Sequence, residues 1–454
     1  MKIGFISLGC PKNQMDTEVM LHEILEAGYE MTPEDIEADI IIINTCAFIE
    51  SAKKEAIDNI LDVAWLKENR DLKAIIVTGC LAERYREQIF ELLPEVDALI
   101  GVGSIHHIVD AVRAVEAQIN RKGGCPVGER YTSFEDKNTV KLGGDRVLTT
   151  PEYATYLKIA EGCDNCCTYC AIPSIRGRFR SRTMEDIVEE AKDLERLGAK
   201  ELTLVAQDVT RYGIDLYGHY ALADLLQKLT AETTIPWFRI LYCYPDKITD
   251  ELVAELRDNP RVVKYIDMPL QHISNAVLKS MNRHGDGQMI RGVLKKLRDN
   301  VPDIVIRTTF IVGFPGETEA DFEELAAFMK EQRFEHAGVF TYSREEGTAA
   351  YHLPDQIDEQ VKQDRMDILM REQMHINEEQ NQSRVGKILR VLCEDYDPVS
   401  ETHYGRSFAD APDIDGKVFF SAPARVEAGT FVDVVIDEVV EYDVYGRMVS
   451  SDQA

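Results

Sequence analysis

Four cysteines stand within eight residues in LKIAEGCDNCCTYCAIP, at positions 163, 166, 167 and 170. Cys163, Cys167 and Cys170 make a C-x3-C-x2-C pattern, and three thiolates can hold three irons of a 4Fe-4S cube. The fourth iron is then left for an outside ligand, unlike a cluster closed by four cysteines. A second chemistry fits the same segment. With Cys166 the segment holds two successive CxxC pairs, Cys163/Cys166 and Cys167/Cys170, of the kind that binds zinc. Downstream, the arginines 176, 178, 180 and 182 could clamp a carboxylate of cofactor or substrate bidentately, or line a solvated loop.

Three more cysteines share one setting. In SLGCPKN, INTCAF and VTGCLAE, Cys10, Cys46 and Cys80 each follow an apolar run and precede a helical pattern. If the runs are parallel strands, all three thiols gather at the carboxyl edge of one sheet, where open α/β folds bind ligands. Singly, each would pass for a small buried residue. Together they predict a second three-thiolate 4Fe-4S cluster. Cys125, Cys243 and Cys393 lack such placement and read as ordinary cysteines. VAQD ends one strand with Gln207 and Asp208, MPLQH follows another with Gln271 and His272, and TTFIVGFPGET puts Gly313, Gly316 and Glu317 at a strand-to-helix turn. Polar residues that repeatedly end strands on one face predict a shared pocket, and glycines there let a ligand approach the backbone.

The elements that must position these residues follow from periodicity. Residues 2–8, 39–44 and 73–78 read as buried parallel strands alternating with helices, an open α/β domain over 1–120. Residues 121–150, rich in glycine and charge, read as a linker. From 151 to 382, strands near 156–159, 201–206, 237–241, 263–268, 304–312 and 336–342 alternate with helices. They predict a partial (β/α)6 barrel with a trailing charged helix. The cysteine loop then leaves the first barrel strand at the face where barrel enzymes keep their chemistry. Short β-like runs at 388–393, 416–420 and 430–440 predict a small all-β barrel over 383–454.

The chain has 454 residues, enough for roughly two to four domains, and 44% of them are hydrophobic. Ten cysteines in so long a chain do not suggest a disulfide scaffold. No apolar run is long enough for a membrane span and the start lacks a signal-peptide pattern, so a cytoplasmic protein is expected. The formal charge of −29 keeps it soluble and repels phosphate backbones unless a basic patch intervenes.

The C-x3-C-x2-C loop resembles the radical S-adenosylmethionine superfamily, whose cofactor chelates the open iron and is cleaved to a 5′-deoxyadenosyl radical. That resemblance places Gly313 and Glu317 where the adenosyl part is contacted and needs no cysteine at 166; Gln207 and Gln271, ending their strands on the same face, are read as further cofactor contacts. Two three-cysteine sets followed by a β-rich tail resemble the methylthiotransferases in domain order, the tail being like their TRAM domain. SLGCPKNQMDTE, LVAQDVTRYGIDLYG, YIDMPLQHISNAVL, TYSREEGTAA and YGRSFADAPDIDG look more like the RimO branch, which modifies an aspartate of the twelfth small-subunit ribosomal protein, than the tRNA-modifying MiaB branch. The resemblance implies two 4Fe-4S clusters and S-adenosylmethionine as both methyl donor and radical source. It also implies an electron donor such as flavodoxin or ferredoxin, and an unidentified sulfur donor. Charge agrees. Residues 387–454 hold six Lys or Arg against fourteen Asp or Glu, which disfavours RNA and suits a basic ribosomal protein. A non-catalytic zinc or electron-transfer protein is the alternative of another class.

Overall fold

The computed structural model describes residues 1–120 and 129–449; the reading of Cys125 as an ordinary cysteine lies outside them. The first sheet has six parallel strands in the spatial order Glu30–Met31, Lys2–Ser7, Ile40–Thr45, Ala74–Gly79, Ala98–Ile100, Tyr131–Ser133. The central strands are continuous runs of Ile, Val and Ala because both faces are covered. Ile41, Ile43, Ile75 and Val77 face one layer, and Ile40, Ile42, Ala74 and Ile76 the other. Only three of these strands stand out in the sequence. The others have two or three residues each, too few to show a period. The last lies inside the stretch expected to be a linker, where Leu99 pairs with Thr132.

Six parallel strands form a second sheet, in sequential spatial order from Ala154–Lys158 through Glu201–Val205, Trp237–Ile240, Val262–Asp267 and Val305–Val312 to His336–Thr341. It stays open as a partial barrel, in keeping with six βα units rather than eight. Several of its helices begin with side-chain caps: Thr183 accepts from the Asp186 amide, Thr249 from Leu252, and Thr318 forms a reciprocal capping box with Asp321. The helix Glu359–Gln382 trails the sheet, packing chiefly on its last strand. The tail is a closed five-stranded barrel. Two of its strands, Thr402–Arg406 and Asp443–Met448, go beyond the three runs read in the sequence. Among the described residues no helix is long and apolar enough to cross a membrane.

The two sheets meet across the first helix, Pro11–Glu26. Its Met15 packs with Tyr156, Val205 and Trp237 of the second sheet. One face of the first sheet also receives Ala171 and Ile175 from the segment after the cysteine loop.

Candidate active site

The strand register explains how three distant cysteines come together. Ser7 pairs with Asn44, Asn44 with Thr78, and Thr45 with Gly79, so the three strands end level and Cys10, Cys46 and Cys80 follow at one edge. Cys10 caps the helix Pro11–Glu26, with proline at its first position, and its carbonyl accepts from the Asn13 and Gln14 amides. Cys80 opens the helix Cys80–Tyr85. Gly79 before it has φ 89°, and a Cβ there would lie 2.6 Å from the Thr45 carbonyl, so only glycine allows this turn. The thiols lie within one another's fields. Burial pushes Cys80 up to about 12, with Cys46 and Cys10 adding to the rise and the Arg176 guanidinium opposing it. Burial likewise raises Cys46, again helped by Cys10.

The second set is gathered locally. Ala160–Glu161 pairs antiparallel with Arg180–Ser181, which closes residues 162–179 into a loop at the barrel mouth. The Cys163 amide donates to the Gly177 carbonyl at 3.1 Å and the Cys170 amide to the Cys167 carbonyl at 3.0 Å. Burial lifts Cys163 to about 11 and raises Cys170 further, and each feels Cys167. Arg283 reaches to 4.0 Å from the Cys167 sulfur and donates to the Tyr169 hydroxyl at 3.1 Å. Cys166 is exposed in a left-handed conformation, φ 53°. Among the described residues no group of three or more His, Cys, Asp and Glu side chains closes around a single metal position. A four-iron cube asks something different of each triad, three soft thiolates on three irons rather than several donors on one ion. Both triads supply that donor set.

A buried ionic junction joins the two sets. Arg176, six residues past Cys170, places Nη1 2.5 Å from Asp16 Oδ2 and Nη2 2.9 Å from Asn13 Oδ1 and 3.5 Å from the Cys80 sulfur. Lys158 lies 2.5 Å from Asp16 and 3.0 Å from Glu161. Burial would raise Glu161, yet Lys158 and Arg176 hold it down at about 2. The arginine row is engaged within the protein itself: Arg178 pairs with Asp164, Arg182 with Asp186 and Glu190, and Arg180 donates to the carbonyls of Val140 and Lys137. No periodicity announces such a junction, because its members lie up to 163 positions apart.

Gln207 and Gln271 lie at the mouth, just past their strand ends. Gln207 donates to Glu161, and its Oε1 and that of Gln271 are buried with no partner among the described residues. Two orphaned acceptors there fit a ligand that brings N–H donors, as the amino groups of S-adenosylmethionine would. Gln271, at φ 71°, also lines a cavity of about 650 Å³ between residues 48–51 and the last two barrel strands. Gly313 and Glu317 are placed differently. The space a Cβ would take at Gly313 is filled by Lys362, 2.2 Å away, from the trailing helix. The Glu317 carboxylate accepts from the Gly313 and Phe314 amides at 2.7 and 3.2 Å and pairs with Arg365 at 2.8 Å. These two residues lock a turn against Glu359–Gln382, which the sequence motif alone could not distinguish from a ligand loop. Cys243 and Cys393 are buried and apart, as ordinary cysteines.

Known proteins resemble this chain over its whole length. Residues 2–101 match the uncharacterized protein family UPF0004, residues 157–329 the radical SAM superfamily, and residues 385–449 the TRAM domain. The chain is 49% identical to the ribosomal protein uS12 methylthiotransferase RimO of Pelotomaculum thermopropionicum, over 99% of each chain. It is 48% identical to the protein of that name from Thermoanaerobacter sp. (strain X514), over 98% of this chain and 99% of that one. Among solved structures, the radical S-adenosylmethionine methyltransferase TsrM of Kitasatospora setae shares the fold at a TM-score of 0.54 and 13% identity. That match covers 75% of this chain and 74% of the other. Identity near one half across three successive matched regions leaves one assignment: the chain belongs to the RimO family of ribosomal protein uS12 methylthiotransferases.

Proposed function

We propose that this chain transfers a methylthio group to the β-carbon of an aspartate in ribosomal protein uS12. The observation that carries the proposal is the junction at Arg176, which ties the end of the Cys163–Cys170 loop to the Cys80 thiol in one buried contact. Sulfur insertion at carbon needs the hydrogen-abstracting and sulfur-donating centres to face one substrate atom. In this reading Cys163, Cys167 and Cys170 hold one 4Fe-4S cluster, to which S-adenosylmethionine binds, and Cys10, Cys46 and Cys80 hold a second. When bound, these groups supply hydrogen abstraction and a methylated sulfur, the hard chemistry being the cofactors' own.

The chain's own residues position the site. Gln207 and Gln271 offer acceptors unpaired among the described residues at the mouth, Arg283 and Arg176 place positive charge beside one thiol of each set, and the Asp16–Lys158–Glu161 contacts hold the interface together. Residues 1–120, 151–382 and 383–454 act as the sulfur-donating, radical-forming and substrate-recruiting parts. The acidic last part draws in a basic ribosomal protein. An electron donor such as flavodoxin or ferredoxin and a sulfur source complete the system, in the cytoplasm.

Mass spectrometry of small-subunit proteins after incubation with reduced, iron-loaded enzyme and S-adenosylmethionine tests this. A mass gain of one methylthio group on uS12 at an aspartate is expected. Product on an adenosine of tRNA, with uS12 unchanged, would sink it.

A further inference from the structure

Of the nine Lys and Arg residues buried among the described residues, eight lie within 4 Å of a carboxylate oxygen. Lys12 is the exception. It is 6% exposed, sits in the first turn of the helix Pro11–Glu26 two residues after Cys10, and has no carboxylate within that distance among the described residues. Its Nζ instead lies 3.2 Å from the centroid of the Tyr242 ring. A buried ammonium with no carboxylate in contact is costly, and an aromatic face recovers only part of that cost. The half-buried Arg283 also has no carboxylate within 4 Å among the described residues, but it is engaged by the Pro269 carbonyl at 2.7 Å and the Tyr169 hydroxyl.

Tyr242 is itself unusual. It lies just past the barrel strand Trp237–Ile240 at φ 66°, a region an L side chain rarely adopts. Its amide is held by Asp267 Oδ2 at 3.1 Å. The strained tyrosine and the lone cation therefore meet between the Cys10 helix and the barrel mouth, where strain of this kind marks a working site.

We infer that Lys12 binds the side-chain carboxylate of the substrate aspartate. This rests on the function proposed above and deepens it. The carboxylate is bonded directly to the β-carbon that reacts, so fixing it beside Cys10 fixes that carbon within one bond of the anchor. A carboxamide of the same shape brings no charge to Lys12, which makes this contact a determinant of aspartate over asparagine.

The test is binding of purified uS12, and of uS12 with the target Asp changed to Asn, to iron-loaded enzyme, followed by fluorescence anisotropy. Wild-type enzyme prefers the Asp form by about tenfold or more. In Lys12→Gln that preference falls to within about twofold because the Asp form alone weakens. Lys12→Arg keeps the charge and keeps most of the preference, which separates charge from misfolding. Equal weakening of both forms, or an undiminished preference in Lys12→Gln, overturns the inference. So does a shifted cluster reduction potential with unchanged preference, since Lys12 would then serve the Cys10-bound cluster. Failure of wild-type enzyme to bind or modify either form counts against the proposed function itself, and the inference falls with it.

Discussion

Cys163, Cys167 and Cys170 come together because eight residues of chain are folded into one loop, whereas Cys10, Cys46 and Cys80 come together only because three parallel strands end level. The first set needs little more than its own segment, clasped by the short pair Ala160–Glu161 and Arg180–Ser181. The second needs a whole sheet, and through Arg176 it leans on the first. Local spacing can therefore gather a thiol triad by itself, while a triad made from strand ends inherits every defect of the fold that carries it.

The sharpest way to break this contrast is to remove cysteines from one set at a time. Changing Cys163, Cys167 or Cys170 to Ala is expected to abolish both 5′-deoxyadenosine release and methylthio transfer, and to halve the bound iron. Changing Cys10, Cys46 or Cys80 to Ala abolishes methylthio transfer but leaves 5′-deoxyadenosine release. Chromatographic assay of the nucleoside beside mass spectrometry of the protein product checks this. Methylthiolated product from a Cys46→Ala enzyme would end the division of labour.

A smaller effect should follow at the junction. Arg176→Met strands Asp16 and Glu161 with Lys158 as their remaining cation, and loss of one partner of a buried ionic contact costs about 3–5 kcal/mol. Chemical denaturation of the iron-free protein should show that loss. Arg178, 78% exposed on its side chain and paired with Asp164, offers the control two residues away, since surface pairs add little. Arg178→Ala leaves stability unchanged. If the two substitutions behave alike, the arginine row is a solvated loop and the two cysteine sets are not coupled through it.

What could be read in the sequence follows the same division. The C-x3-C-x2-C loop and the isoleucine run at 40–43 are local signals, and both lead directly to structure. The edge cysteines needed one more step, the direction shared by parallel strands. Short strands such as Ala98–Ile100 and Tyr131–Ser133 left no mark, because two or three residues fit any period and their partners alone define them. Gly313 and Glu317 looked like a ligand turn because the motif is the same whether a ligand or the Lys362 and Arg365 side chains of a later helix fill it. Lys12 gave no warning at all. Its meaning lies in what is missing around it, and that can be seen only once every other buried cation has been paired.

The subtlest difference between the regions is in their response to pH. Glu161, at the junction, is held at about 2 against an ordinary 4.5. A carboxylate depressed in the folded state stabilises the protein above its unfolded value, and that contribution disappears as pH falls from about 4.5 through about 2. His106 works in the opposite direction. It lies 2.5 Å from Glu23 on the helix that carries Cys10, and the hydrogen bond to Glu23 raises it above 6.5 despite its burial. Its contribution is complete below 6.5 and is lost as pH rises through the raised folded value. Thermal unfolding of His106→Gln beside wild type should show a deficit at pH 6 that closes by pH 9, whereas that of Glu161→Gln persists over this range and shrinks only in acid. An equal deficit for His106→Gln at pH 6 and pH 9 would mean that the Glu23 contact holds the Cys10 helix by shape alone, and the edge-built set would then have no alkaline weakness that the loop-built set lacks.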